Sequence, residues 1–235
     1  MPREFGYVAT SATTEVAINA TTYNEPSTAT GFSVKSSSAN DTAAGTGAHT
    51  VKIKYYVLDA NSNITGPFYY TVTLNGVTAV QIDATSLIRL FDCAQVLTVG
   101  SGGKSAGIIS FYPSTDGTGT ATASIAAGDF RTYLGHAYVP NGSRLNVIDI
   151  VAASGEASTV QTQFNLRALS YPSANVQERV LTAALAAQGL SGSKQLNPMG
   201  QPLAVIPGPA RLQLYVTPGA SAGTTQRAEF GFYYA

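Results

Sequence analysis

The stretch Thr50–Tyr56, TVKIKYY, alternates strictly: Val51, Ile53 and Tyr55 fall on one side, Lys52 and Lys54 on the other. Successive side chains of an extended strand point to opposite faces, so this is the pattern of a half-buried strand. A helix would repeat its apolar positions every three or four residues. A second run, YTVTLNGVTAV at 70–80, repeats the period, with Tyr70, Val72 and Leu74 set against Thr71 and Thr73. Asn75-Gly76 then predicts a type I′ hairpin, whose two central residues both need positive φ.

The same period returns further along. TATASI at 120–125 sets Thr120, Thr122 and Ser124 against Ala121, Ala123 and Ile125. TQFNLRA at 162–168 places Phe164, Leu166 and Ala168 on one face, and RLQLYV at 211–216 does so with Leu212, Leu214 and Val216. Phe230, Phe232 and Tyr234 share a face of a terminal strand. Turn signals stand between the runs at Asp116-Gly117, Gly128-Asp129, Pro140-Asn141-Gly142 and Pro218-Gly219. Many short strands with turns at this spacing predict an all-β chain of antiparallel sheets, β-sandwich or jelly-roll in type.

Two segments depart from the pattern. TSLIRLFDCA at 85–94 and NVQERVLTAALAAQG at 175–189 both show helical spacing. In the second, Asn175 is placed to cap a helix and Gly189 to end it, although a buried strand leaves a similar trace. Residues 8–30 are small and polar, with weak alternation and a break at Glu25-Pro26. The expected organisation is an extended N-terminal arm over 1–30 and a first sandwich unit over 31–139. Residues 140–235 form a second unit or continue the first, with at most one or two short helices in all.

Composition narrows the partners. Thirteen basic and 13 acidic residues give no net charge, so no global field draws the chain to nucleic acid or to an anionic membrane. Only 11% of residues are charged, against about 25% in an average soluble domain. With 23 glycines and 13 tyrosines, that low charge implies a surface covered by neighbouring subunits. Cys93 is the one cysteine, which excludes an intrachain disulfide and a cysteine-based zinc site. The opening Met1-Pro2-Arg3-Glu4-Phe5 has charges where a signal peptide needs an apolar core, so synthesis in a cytoplasm without export is expected.

TVGSGGKS at 98–105 ends like a phosphate-binding loop, which needs Gly-x-x-x-x-Gly-Lys-[Ser/Thr] with a helix directly after it. Thr98 stands where the first glycine belongs, and the following SAGIISFY reads as a strand. The better reading is a turn between strands. His49 and His136 have no second ligand at metal spacing. DANSN at 59–63 opens like a calcium loop, but Ile64 and Tyr70 occupy the glycine and glutamate positions, which leaves a hairpin tip. No Gly-x-Ser-x-Gly elbow is present. The expectation is no catalytic residue, no metal site and no cofactor, although 13 acidic residues leave a carbohydrate-active or carbohydrate-binding β protein open.

The segment SSSANDTAAGTGAHTV at 36–51, followed by VLDANSN at 57–63 and TVTLNGVTAV at 71–80, resembles a family of virion structural proteins of tailed phages. Its members carry Ser-x-x-x-x-Asp-Thr-Ala-Ala-Gly-Thr-Gly-Ala-Arg-Thr-Val, then Leu-Asp-Ala, then Glu-Thr-Val-x-Leu-Asn-Gly. Asp41 to Ala48 match in order, His49 replaces the usual Arg, and Tyr70 stands where Glu is usual. VGSGGKSAGII is similar to the family's next glycine-rich turn and strand, and YVPNGSRL at 138–145 to a later turn. The match is specific over 31–110 and thin after 155.

The resemblance implies a non-enzymatic virion component, first a cement or decoration subunit on the capsid exterior. A tail-associated adaptor or receptor-binding protein is the alternative. Its partners would be other virion proteins, the major capsid protein foremost, and further copies of itself, a trimer being favoured. It would be made in the host cytoplasm and released by lysis. On this reading the 1–30 arm docks on a neighbour through Phe5, Tyr7, Val16, Ile18 and Tyr23, spaced along an extended chain.

Overall fold

The structure, a computed structural model, describes residues 3–10, 14–154, 162–170, 179–187, 202–217 and 224–235. The chain enters with β1 (Arg3–Thr10) and β2 (Val16–Ala17). It continues with β3 (Phe32–Ser36), β4 (Ala48–Leu58), β5 (Ile64–Thr73), β6 (Val80–Ile82), β7 (Ile88–Val99), β8 (Ile109–Tyr112) and β9 (Ala123–Ile125). Then come β10 (His136–Val139), β11 (Arg144–Ser154), β12 (Thr162–Ser170) and β13 (Arg179–Ala187). The last three are β14 (Ala204–Pro207), β15 (Ala210–Thr217) and β16 (Thr224–Tyr234). No helix occurs among the described residues, and every strand pairing is antiparallel. The chain is all-β.

Two compact units divide it: Thr21–Tyr133, and Met1–Ala20 together with Leu134–Ala235. The continuous unit has one sheet in the order β6-β3-β8-β9 and another in the order β5-β4-β7. Their inner faces meet through three buried rings. Phe91 of β7 stacks on Phe32 of β3 with centroids 6.5 Å apart and packs on Phe111 of β8 at 4.8 Å. Each such ring contributes roughly 1.5–3 kcal/mol by leaving water. The discontinuous unit pairs β1-β16-β11-β14 in one sheet and β10-β15-β12-β13 in the other, with β2 added on β15. One apolar core fills it, drawing Leu145, Phe230 and Phe232 from the first sheet and Phe164, Leu212 and Leu214 from the second.

The two strands within the first thirty residues do not form a free arm. β1 pairs along its whole length with β16, from Arg3 opposite Gly231 to Thr10 opposite Thr224. Val16 and Ala17 pair with Val216 and Tyr215. The cause is the long open side of β16, whose backbone donors and acceptors need a partner.

The helical spacing of 85–94 makes no helix, since Ile88–Val99 is a strand. Register shifts between Lys54 and Tyr55 and between Tyr56 and Val57 mark bulges along the β4–β7 ladder. A bulge puts two consecutive residues out of the strict alternation. Leu90, Phe91 and Asp92 are accordingly buried in a row. Ile88, Phe91 and Ala94 then lie three apart in sequence and imitate a helix. Arg179–Ala187 of the second helical segment is strand β13, while 175–178 and 188–189 lie outside the described residues.

The turn at Asn75-Gly76 exists one residue later than expected. The Thr78 amide donates to the Asn75 carbonyl at 3.1 Å, so Gly76 and Val77 are its central pair, and only Gly76 has positive φ (57°). It joins β5 to β6, which belong to different sheets, and so makes no two-stranded hairpin. The glycines of the turns at 116–117, 128–129 and 140–142 all take positive φ; Pro218-Gly219 lies outside the described residues.

Candidate functional site

Residues of the 36–48 stretch and of the turn after β7 converge on one buried carboxylate. Asp41 is fully buried in the loop between β3 and β4. Its Oδ1 accepts the amides of Ala48 (2.6 Å) and Ala106 (2.8 Å), and its Oδ2 accepts the Gly107 amide (2.9 Å) and the Ser36 hydroxyl (2.5 Å). Its own carbonyl takes the Gly76 amide at 2.8 Å. One side chain thereby ties the end of β3, the start of β4 and the loop after β7. A buried charge is tolerated only when donors surround it in this way.

Two glycines of the knot are required by space. A Cβ on Gly47 would stand 2.0 Å from Asp41 Oδ1, and one on Gly100 would stand 2.2 Å from the Gly45 carbonyl. Neither Gly45 nor Gly47 has positive φ. Their role is close approach. The loops meet through Gly100 N to Gly47 O (2.7 Å) and Gly102 N to Thr46 O (2.8 Å). His49 sets Nε2 2.8 Å from the Gly45 carbonyl.

This geometry disposes of the nucleotide loop. Amides following a Gly-Lys-Ser sequence can cradle a phosphate. Here the amides of Ala106 and Gly107 are held by Asp41, so the anion they bind is part of the chain. Lys104 is exposed beside a shallow depression of about 250 Å³ shared with Thr46, Gly102 and Gly128. β8 follows where a phosphate loop needs a helix.

Two further polar groups hold the same unit and were not legible in the sequence. Lys54 is nearly buried, with Nζ 2.5 Å from Oδ2 of the buried Asp92, although alternation had placed it facing solvent beside Lys52. Tyr55 donates its hydroxyl to Asp83 Oδ2 at 2.5 Å. Burial first, then this bond, pushes the phenol above its ordinary range. Asp83 is lowered to about 2, mainly by the Ser86 side chain and then by Tyr55. The Asp/Asn-rich segment after β4 is a hairpin tip: Asp59 Oδ1 accepts the Asn61 and Asn63 amides, both at 2.8 Å. Bonds from Asn63, above all, lower the Asp59 carboxyl.

The two histidines fall in different units, His136 being buried edge-on to Tyr138. Among the described residues no group of three or more His, Cys, Asp or Glu is placed to hold a metal.

The five expected anchors are buried to different degrees within the chain. Phe5 and Tyr7 are half-buried on β1, and Phe5 borders a small depression with Val151 and Ala153. Val16 packs on the core of its unit, and Ile18 lies wholly inside it. Tyr23 donates its hydroxyl to the Phe91 carbonyl at 3.0 Å in the other unit's framework. Comparison with protein-family profiles, with curated proteins and with solved structures finds no match for this chain.

Proposed function

We propose that this chain is a non-enzymatic structural component of a tailed-phage virion, a capsid cement or decoration subunit that works through protein contacts. One observation carries the reading. The residues shared with the virion family, Ser36, Asp41, Gly47 and Ala48 together with the 100–107 turn, are joined in a single buried knot. They fix two loops against each other and leave no reactive group exposed on the carboxylate. A motif of this kind supports a scaffold function, since what it preserves is shape. The low charge of the chain is in keeping with a surface that other subunits cover.

The test is quantitative mass spectrometry of purified particles from the phage whose genome encodes the chain. A copy number comparable with that of the major capsid protein is the expected result. A few copies, confined to tail fractions, would move the role to the tail. Absence from particles would end the reading.

A further inference from the structure

Strand β5 is an edge: β4 lies on one side of it, and no strand among the described residues pairs with the other. The register tells which of its backbone groups are open. Leu74 N donates to His49 O, and the ladder runs on unshifted through Val51 opposite Val72, Ile53 opposite Tyr70 and Tyr55 opposite Phe68. Hydrogen-bonded and non-bonded pairs alternate in an antiparallel ladder. Val72, Tyr70 and Phe68 therefore bond inward to β4, and Tyr69, Thr71 and Thr73 turn their N–H and C=O groups outward.

The side chains add a direction. Val51, Ile53 and Val72 are buried on the core face, yet Phe68 and Tyr70 on that face remain 43% and 38% exposed. The core face thus runs out to an uncovered rim. On the opposite face Tyr69 is 56% exposed, with the Lys52 Nζ 4.7 Å from its ring centroid.

Long edges are usually blunted by charge, shortness or proline. Here β1 carries Arg3 and Glu4, β6 and β9 are three residues each, and β14 is short and ends in Pro207. β5 has ten residues; its proline, Pro67, lies toward the Ile64 end, and from Phe68 to Thr73 the edge carries neither charge nor proline.

We propose that β5 is the seat of a contact between two copies of this chain, pairing antiparallel with itself about a twofold axis at Thr71. The register follows from the open groups. With Thr71 opposite Thr71 of the second copy, Tyr69 faces Thr73, and each of these pairs exchanges both backbone bonds. On the core face Tyr70 comes beside Val72, and Phe68 reaches the level of Leu74, so both exposed rings gain apolar neighbours. A twofold at Tyr69 would set Thr71 against Pro67, which has no N–H to give. No charged side chain of 60–81 opposes the second copy, and the cation nearest the edge, Lys52, rests on the Tyr69 ring of its own chain. The contact's place in a particle rests on the proposed function; its geometry does not.

Cysteine crosslinking of the full chain tests this, in a Cys93→Ala background. Thr71→Cys brings two Cα atoms to about 5.5 Å across a hydrogen-bonded pair, within disulfide range. Mild oxidation is expected to give a covalent dimer from Thr71→Cys. Thr73→Cys alone should give none, while a mixture of Tyr69→Cys and Thr73→Cys chains should crosslink. Thr71→Pro removes an outward N–H only, and is expected to lower the dimer fraction in sedimentation at least tenfold with an unchanged circular dichroism spectrum. If Thr71→Cys crosslinks no better than Thr73→Cys, or Thr71→Pro leaves self-association unaltered, the contact is elsewhere and the inference is wrong. Crosslinked dimer from a chain absent from particles would keep this contact and remove the virion role. A chain present in particles without the Thr71→Cys crosslink would do the reverse.

Discussion

In the 21–133 unit all strands come from one continuous stretch, and polar side chains tie its rims: Asp41 to the 105–107 turn, Tyr55 to Asp83, Lys54 to Asp92. The other unit is assembled from the two ends of the chain. Its β1 closes on β16 more than two hundred residues away, and its ties at the entering segment are Ile18 in the core and Glu15 paired with Arg167 and Asn165. The contrast shows two ways to finish a sandwich. A local unit must pin irregular loops that its strands cannot hold, and buried polar groups do that with defined geometry. A unit closed by distant strands is held by apolar burial, whose strength does not depend on sequence separation, although the entropy of bringing the ends together does.

Removing residues 2–18 should break that contrast most visibly. It deletes the β1 ladder and takes Ile18 out of a filled core, where loss of such a side chain alone costs about 2–5 kcal/mol. Amide hydrogen exchange is expected to lose protection across 134–154 and 202–235, while 32–56 and 88–112 stay protected. Equal protection in both forms would mean that the segment is dispensable after all.

Asp41→Ala is expected to have the opposite distribution. It leaves the buried amides of Ala48 and Gly107, the part-buried amide of Ala106 and the Ser36 hydroxyl without an acceptor, a loss of about 2–4 kcal/mol read from urea midpoints. Exchange should rise first at Ala48, Ala106 and Gly107 and leave the discontinuous unit unmoved. Asp41→Asn keeps one oxygen and should fall between the two. If Asp41→Ala unfolds at the native midpoint, the knot contributes nothing to the scaffold.

Gly47→Ala refines the same point. Its methyl would meet Asp41 Oδ1 at 2.0 Å and the Ala106 Cβ at 2.8 Å, so overpacking of about 1–3 kcal/mol is expected. The double variant with Asp41→Ala should lose less than the sum, because the carboxylate that clashes is gone. Additive losses would show that the glycine is needed for another reason.

What was readable from sequence follows the same division. The alternation of TVKIKYY and RLQLYV gave true strands, because burial of one face of a sheet imposes a period that side chains must obey. The loop of Asp41 was legible only as a pattern; that its carboxylate serves Ala106 and Gly107 depends on a contact 65 residues distant. The N-terminal segment was misread because its apolar residues are sparse, and nothing local reveals that β16 waits for it. β7 shows helical spacing in the sequence because bulges break the strand period. The sites the sequence missed, Asp92 with Lys54 and Asp83 with Tyr55, sit where a neighbouring strand or loop supplies the partner.

The smallest effect expected concerns Asp83 and separates a rim tie from a buried one. Its folded value of about 2 lies below the ordinary 3.8, so the folded chain releases that proton more readily than the unfolded chain. The contribution to stability is therefore complete above about pH 4 and fades as the pH falls through about 2. Because the carboxyl is largely solvated, solvent screening keeps the effect below about 1 kcal/mol. Carbon-13 detection of the Asp83 carboxyl should give a midpoint near 2 in the native chain. Ser86→Ala should raise that midpoint more than Tyr55→Phe, since the Ser86 bond is the larger cause and the Tyr55 bond the second. A midpoint at the ordinary value would mean that neither hydroxyl holds the carboxylate in solution. The tie between β4 and the loop after β6 would then be absent, and the continuous unit would rest on its other polar fastenings, those of Asp41 and Asp92 among them.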